Sequence, residues 1–326
     1  MDETVVAARP RGLARVAPAV GLFFLAPLVG EYLLGNVPTS EILAIPFLAP
    51  MYGGGALLVR EVARRAGRGW PTMLLLAAAY GVFQAGILDQ SLFNSDYDGR
   101  YDFTSIAAVP WLGVSAYHAE AFVAGHVIWS IGIPIALVEA LVPRRRTAPW
   151  LGWGGLAVTV VLFAFGCKII FDDHTRTFMA SAPQLAGAAV VTAGLVAAAF
   201  AVRKVPVSGR RTPRPVAVAL IMCVLSGVFA ARSESWGGAV LGAVLLAAMA
   251  VLLVRWSGRE KWSPLHVVGA AGGALVTYMW LGYLLLYLTG VATPANLVGQ
   301  TVLVVAVAGL VVLAARQSWR GRPESS

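Results

Sequence analysis

Charge is what this sequence has least of. Only 13% of its 326 residues are Asp, Glu, Lys or Arg, while 58% are hydrophobic. Soluble domains carry about 25% charged residues, so the balance excludes an ordinary soluble globule and points to a chain solvated by lipid. Cysteine is nearly absent. Cys167 and Cys223 fall at different expected depths, which argues against a bridge, since a disulfide needs Cα atoms within about 7 Å. Histidine is rare too, with four copies and neither an HExxH nor an HxxxH spacing among them. The zinc signatures built on one helix face are therefore missing, and no cofactor is expected. Long polar stretches are also lacking, so no soluble domain is expected at either end.

What the chain does have is long apolar runs. A helix needs roughly 20 apolar residues to cross ~30 Å of hydrocarbon. Windows of that length lie near 16–35, 41–59, 70–93, 116–142, 149–171, 183–202, 215–231, 236–254, 264–289 and 294–315. The runs are continuously apolar rather than alternating, and a helix satisfies its own backbone in lipid. The expected fold is an all-α bundle of about ten membrane helices. Residues 16–315 form one transmembrane domain between tails at 1–15 and 316–326. Arg9, Arg11 and Arg15 precede the first run without a clear cleavage site, which reads as an uncleaved signal anchor.

The basic residues set the expected topology. With the N-terminus inside and every run crossing, all of the 25 basic residues except Arg100, Lys168, Arg176 and Arg232 fall on the inner side. Short loops with that bias follow the positive-inside rule, so both termini are expected in the cytoplasm. Such loops favour anionic lipid headgroups and make nucleic acid an implausible partner. Trp70, Trp150, Trp153, Trp256, Trp262 and Trp319 fall near inner boundaries, and Trp111 and Trp236 near outer ones, as an aromatic belt would. Trp129 and Trp280 lie deeper. The preference for Arg over Lys, with abundant Ala, Gly and Val, suggests a bacterial chain and hence a plasma-membrane location.

Polar groups inside the runs carry the functional signal. In YHAEAFVAGHVIWSIGIP (117–134), His126 lies ten residues from Ala116, ~15 Å along a helix and near the expected midplane. His118, Phe122, Gly125, His126 and Trp129 recur at helical spacing and make one stripe, whereas Glu120 points elsewhere. Ionisable groups at that depth are costly and normally face protein or water. Pro134 removes a backbone donor just beyond them and predicts a kink. The run at 70–93 brings Gln84, Asp89, Gln90, Ser91 and Asn94 to the outer half, where Glu31, Glu41 and Lys168 also stand. Lys168 needs a partner, and Asp89 or the Asp172/Asp173 pair is expected to supply it.

The acidic, aromatic loop 94–113 reads either as a lid or as a hydrated connection. Glu61 and Glu139 read as interfacial partners of neighbouring arginines. Gly53, Gly54 and Gly55 read as a close-packing face.

One resemblance enters here. Phe122-x-x-x-His126 is similar to the FxxxH element of the CAAX-type intramembrane proteases. Those enzymes also carry EExxxR on an earlier span, and the corresponding segment here is Gln84-Ala85-x-x-x-Asp89, without either glutamate or the arginine. The resemblance implies at most a relative that has lost its catalytic base. His118 and His126 are ~12 Å apart along the helix axis, too far to share one metal ion.

The expected function is the handling of a small molecule or lipid in an outer-half polar pocket, as in a transporter. The pocket residues are His126, His118, Glu120, Asp89, Gln84, Gln90 and Lys168. An integral membrane enzyme and a non-catalytic scaffold are the alternatives. Partners are membrane lipids and a small substrate.

Overall fold

The structure is a computed structural model that describes residues 13–97, 99, 102–203 and 205–320. Arg9, Arg11, Arg100, Lys204 and Arg322 lie outside the described residues. The fold is an all-α bundle. Among the described residues, nine helices are long and apolar enough to cross a membrane, and Pro215–Ala230 is a shorter apolar helix. The expected seventh run is thus a helix of 16 residues, or ~24 Å long, less than a full hydrocarbon thickness.

In chain order the helices are α1 (Leu13–Pro27), α2 (Ile45–Arg65), α3 (Trp70–Phe83), α4 (Ala116–Gly125) and α5 (Ile133–Leu141). They continue as α6 (Trp153–His174), α7 (Ala182–Ala201), α8 (Pro215–Ala230), α9 (Trp236–Ser257), α10 (Pro264–Leu288) and α11 (Pro294–Arg320). Local sequence sets many of the starts. Proline occupies the first turn of α2, α3, α7, α8 and α10, where its missing N–H costs nothing. Ser115 and Ser235 cap α4 and α9 through the backbone N–H of His118 and Gly238.

α4 and α5 make a single span, Ala116–Leu141, joined by a π-helical stretch at His126–Gly132. The predicted kink at Pro134 takes this form. Because proline cannot donate to the residue four back, the turn before it widens, and Ile133 donates to Ile128. The first and third spans end in similar π turns, Leu28–Tyr32 and Gln84–Leu88.

The loops gather at two ends. The basic end holds the connections after α2, α5, α7 and α9. There Arg145 donates to the Arg15 carbonyl and Arg68 to those of Phe200 and Val202. The opposite, hairpin end holds a short antiparallel pair, β1 (Ala108–Val109) and β2 (Val114–Ser115). The core is asymmetric. The first four spans are 56–67% buried while Ala182–Ala201 is 11% buried, so the interior is built by the first half of the chain. α6 and α7 pack over α2 and α3, and α8 packs on α10.

Glycines permit the closest approaches. A Cβ on Gly53 would stand 1.9 Å from the Phe23 carbonyl, and one on Gly273 would stand 2.0 Å from the Ala219 carbonyl. Gly273→Val is therefore expected to push α10 off α8 and cost about 1–3 kcal/mol as overpacking. A melting temperature in detergent that matches the wild type would contradict this.

Two expectations are corrected at the basic end. Trp150 and Trp256 stand near that end but are buried in protein, so they do not face lipid as a belt would, whereas Trp153 and Trp319 are exposed. Glu61 and Glu139 are not surface ion pairs either. They flank Arg60, which is 0% exposed, at 2.6 and 3.0 Å. Arg64 pairs with Glu139 at 2.6 Å. The Arg60 guanidinium also donates to the carbonyls of Arg145, Arg146 and Ala148 and lies 3.3 Å above the Trp150 ring. The network ties α2, α5 and the loop after α5 into one unit. Sequence proximity hides this, because burial comes from the loop folding back over the helix ends.

Candidate functional site: a carboxylate run between three π turns

Glu31 sits on the first π turn and Gln84 opens the second, at the far end of α3. His126 opens the third, which packs against the first, and Tyr52 links the first to the second through Glu31 and Gln84. A π turn widens the helix and re-aims its side chains, and such turns are frequent at functional sites. Here each one delivers a polar group to the interior of the first four spans.

The groups are joined by hydrogen bonds. Asn36 donates to Glu31 Oε2 at 2.6 Å, and the Tyr52 hydroxyl donates to Glu31 Oε1. Gln84 Nε2 reaches the Tyr52 oxygen at 3.3 Å and Asp89 Oδ2 at 3.0 Å. Asp89 also accepts from the Ser91 backbone at 3.0 Å and from the Tyr97 hydroxyl at 3.4 Å. The result is a continuous run from Glu31 to Asp89. Both carboxylates are buried, at 8% and 5% exposure. Among the described residues, no Lys or Arg forms an ion pair with either.

Aromatic rings wall this run. The Tyr52 and Tyr80 rings stand 5.9 and 5.8 Å from the His126 ring. His126 Nδ1 lies 3.3 Å from Ser130 Oγ, not beside a carboxylate. Gly30 keeps the first and third π turns together, since a Cβ there would stand 2.6 Å from Ser130 Oγ. Gln84 Oε1 and the Tyr80 hydroxyl are two of the seven buried side-chain polar atoms without a hydrogen-bond partner among the described residues. Both belong to this cluster.

Among the predicted pocket residues, the structure brings Gln84, Asp89 and His126 together. It sends the others elsewhere. The expected stripe on the fourth span is divided: His118 and Phe122 stay together against Phe103, and the wide turn that begins at His126 re-aims Trp129. Trp129 leaves the His126 side and stacks on Tyr278 at 4.3 Å, donating Nε1–H to the Ala274 carbonyl. His118 is buried with Nδ1 2.9 Å from the Phe103 carbonyl, so it anchors the 94–113 loop. Glu120 faces Arg232 at 3.7 Å on the α9 side.

Gln90 has a positive φ of 57° and ends the third span. Its side-chain oxygen accepts from the Ala180 backbone at 2.6 Å. Lys168 pairs with Asp172 at 2.6 Å, not with Asp89, and its side chain is 72% exposed. An i,i+4 partner on its own helix was nearer than any interior group.

Sequence reasoning marked Glu31 as a polar group but left it out of the pocket, and it missed Tyr52, Tyr80 and Asn36. A tyrosine in an apolar run gives no signal of its own. Tyr52 stands beside the Gly53 to Gly55 face, and only the close approach of α1 to α2 turns it toward Glu31. No three His, Cys, Asp or Glu side chains come together as a metal site among the described residues.

The comparison with known families bears on the whole bundle rather than on this run alone. A family model described as "Uncharacterized membrane protein family" matches residues 21–323. The chain belongs to that family. The match runs from within α1 to beyond the end of α11, so it takes in all but the beginning of the first span. No curated protein and no solved structure matches the chain.

Proposed function

We propose that this family member is a transporter-like protein that binds a small polar or amphipathic molecule in the hairpin half of its bundle. The basic end then faces the cytoplasm of a bacterial plasma membrane, as the positive-inside rule favours. One observation carries the reading: Glu31 and Asp89 are buried in one hydrogen-bonded run, and among the described residues neither forms an ion pair. Ionisable groups inside a membrane domain are expensive, and those that persist mark substrate or ion pathways. A run of acceptors suits a ligand that brings donors or positive charge.

A catalytic reading has less behind it. The histidine of the FxxxH element faces Ser130 rather than a carboxylate, so it lacks the partner that would tune it as a base.

The test is accessibility at position 126. With Cys167 and Cys223 replaced by alanine, His126→Cys is expected to react with an impermeant thiol reagent added from the hairpin side. A position that labels from neither side, while His126→Ala melts like the wild type, would mean a dry packed helix. The scaffold reading would then take its place.

A further inference from the structure

A lateral groove adjoins the carboxylate run. It is a shallow, open groove of about 320 Å³ between α2, α3, α6 and α7, and its walls include Leu58, Leu76, Phe83, Phe163 and Val196. That volume lies at the low end of the ~300–1,000 Å³ of small-molecule sites. Tyr80 lines this groove, and its ring also packs 6.5 Å from the Tyr52 ring and 5.8 Å from His126. It is therefore the seam between an apolar channel and the acidic run. Its hydroxyl is buried without a partner, as is Gln84 Oε1 one helical turn further along the same span.

We propose that groove and run form one site for an amphipathic cation, a long-chain amine whose hydrocarbon tail lies in the groove. The proposal rests on the reading above and names its substrate class. Charge complementarity selects the head. Glu31, Asp89 and Gln84 Oε1 are acceptors in a low-dielectric interior, and an ammonium group supplies three donors and an ion-pair partner that no described residue provides. An anionic head would face two carboxylates and is excluded by like-charge repulsion. The groove selects the tail, because its apolar walls offer a chain nothing but hydrocarbon contact.

The direction also fits. The groove runs from Tyr80 toward the basic end, past Val59 and Val62, while Asp89 lies at the hairpin end of the same span. A head held by Glu31 and Asp89 thus leaves its tail pointing into the membrane, as in a lipid of the hairpin-side leaflet. The hydroxyl of Tyr80 stands where head meets tail.

The experiment is equilibrium binding to the purified full-length protein in micelles, with dodecylamine as the probe. Butylamine, dodecanol and dodecanoic acid are the comparison ligands. Saturable binding of dodecylamine is expected, with butylamine at least about tenfold weaker for its shorter tail. The alcohol and the acid are expected to bind at least about tenfold more weakly for want of charge.

Two groove-filling variants, Thr192→Trp and Val196→Trp, alter partly exposed walls of α7 and should fold. Each is expected to abolish the preference for the long amine over the short one. Asp89→Asn is expected to abolish the preference for amine over alcohol while keeping the chain-length preference. Equal binding of acid and amine would overturn the proposal, as would groove variants that bind dodecylamine like the wild type. Labelling of His126→Cys without amine binding would overturn the amphipathic cation and leave the polar site standing. Absence of both would remove the site itself.

Discussion

Arg60→Ala is expected to destabilise the protein by about 3–5 kcal/mol, the range for removing one partner of a buried charge pair. The size follows from what is left behind. Glu61 and Glu139 would lose the guanidinium that sits between them at 2.6 and 3.0 Å. The carbonyls of Arg145, Arg146 and Ala148 would lose their donor. Trp150 would lose the cation stacked 3.3 Å above its ring. Glu61 would retain its bonds from the Trp150 and Leu151 backbone, but no charge would balance it except Arg65 at 3.6 Å.

Removing a negative partner as well should be milder. The pair Arg60→Met with Glu61→Gln takes away the stranded charge along with its partner, while Glu139 keeps Arg64 at 2.6 Å, and such exchanges are often close to neutral. A thermal melt in detergent, followed for the single and double variants, measures this directly. If Arg60→Ala costs under about 1 kcal/mol, the network behaves as an exposed ion pair and its burial is wrong.

Trp129→Ala should cost a similar amount, about 3–5 kcal/mol, through cavity formation in the second half of the core. Trp129 stacks on Tyr278 at 4.3 Å with the ring planes 3° apart, and is 2% exposed. Its packing joins the fourth span to α10, so the loss should loosen contact between the two halves of the chain. Trp129→Phe isolates the polar part of the effect. It keeps a ring but removes the bond from Nε1 to the Ala274 carbonyl at 2.9 Å, an expected cost of about 1–3 kcal/mol. A double variant with Tyr278→Leu separates stacking from burial. Additive losses would show that the two rings do not act together.

Much of the bundle was legible before any coordinates. The ten apolar runs follow from lipid, which demands long uninterrupted helices with satisfied backbones, although α2 continues to Arg65 and α11 to Arg320, beyond the ends expected at 59 and 315. Prolines and serines at the helix starts mark the boundaries locally. Gly53 to Gly55 also read correctly as a packing face, because a close backbone approach needs glycine at the contact itself.

The site was legible only in part. Gln84, Asp89 and His126 could be found because a polar residue in an apolar run stands out. Lys168 stood out equally and proved to be a surface residue paired within its own helix. The sequence marks which side chains are anomalous for lipid, but not which neighbour each meets. His118 and Glu120 illustrate the limit. Both lie on the same span as His126, yet one anchors the hairpin-end loop and the other faces Arg232.

The sequence by itself therefore determined the class of solvent, the helices, and the list of polar residues that needed shelter. These depend on composition and on spacing along one chain. Tertiary structure alone decided that Glu31 meets Tyr52, that Arg60 is enclosed, and that the stripe from His118 to Trp129 is divided. The three π turns are the physical reason for much of this. Each shifts the helical register, and with it the direction of every side chain beyond. The turn before Pro134 widens for a local reason, the missing N–H, but which neighbours its re-aimed side chains meet is decided across the bundle.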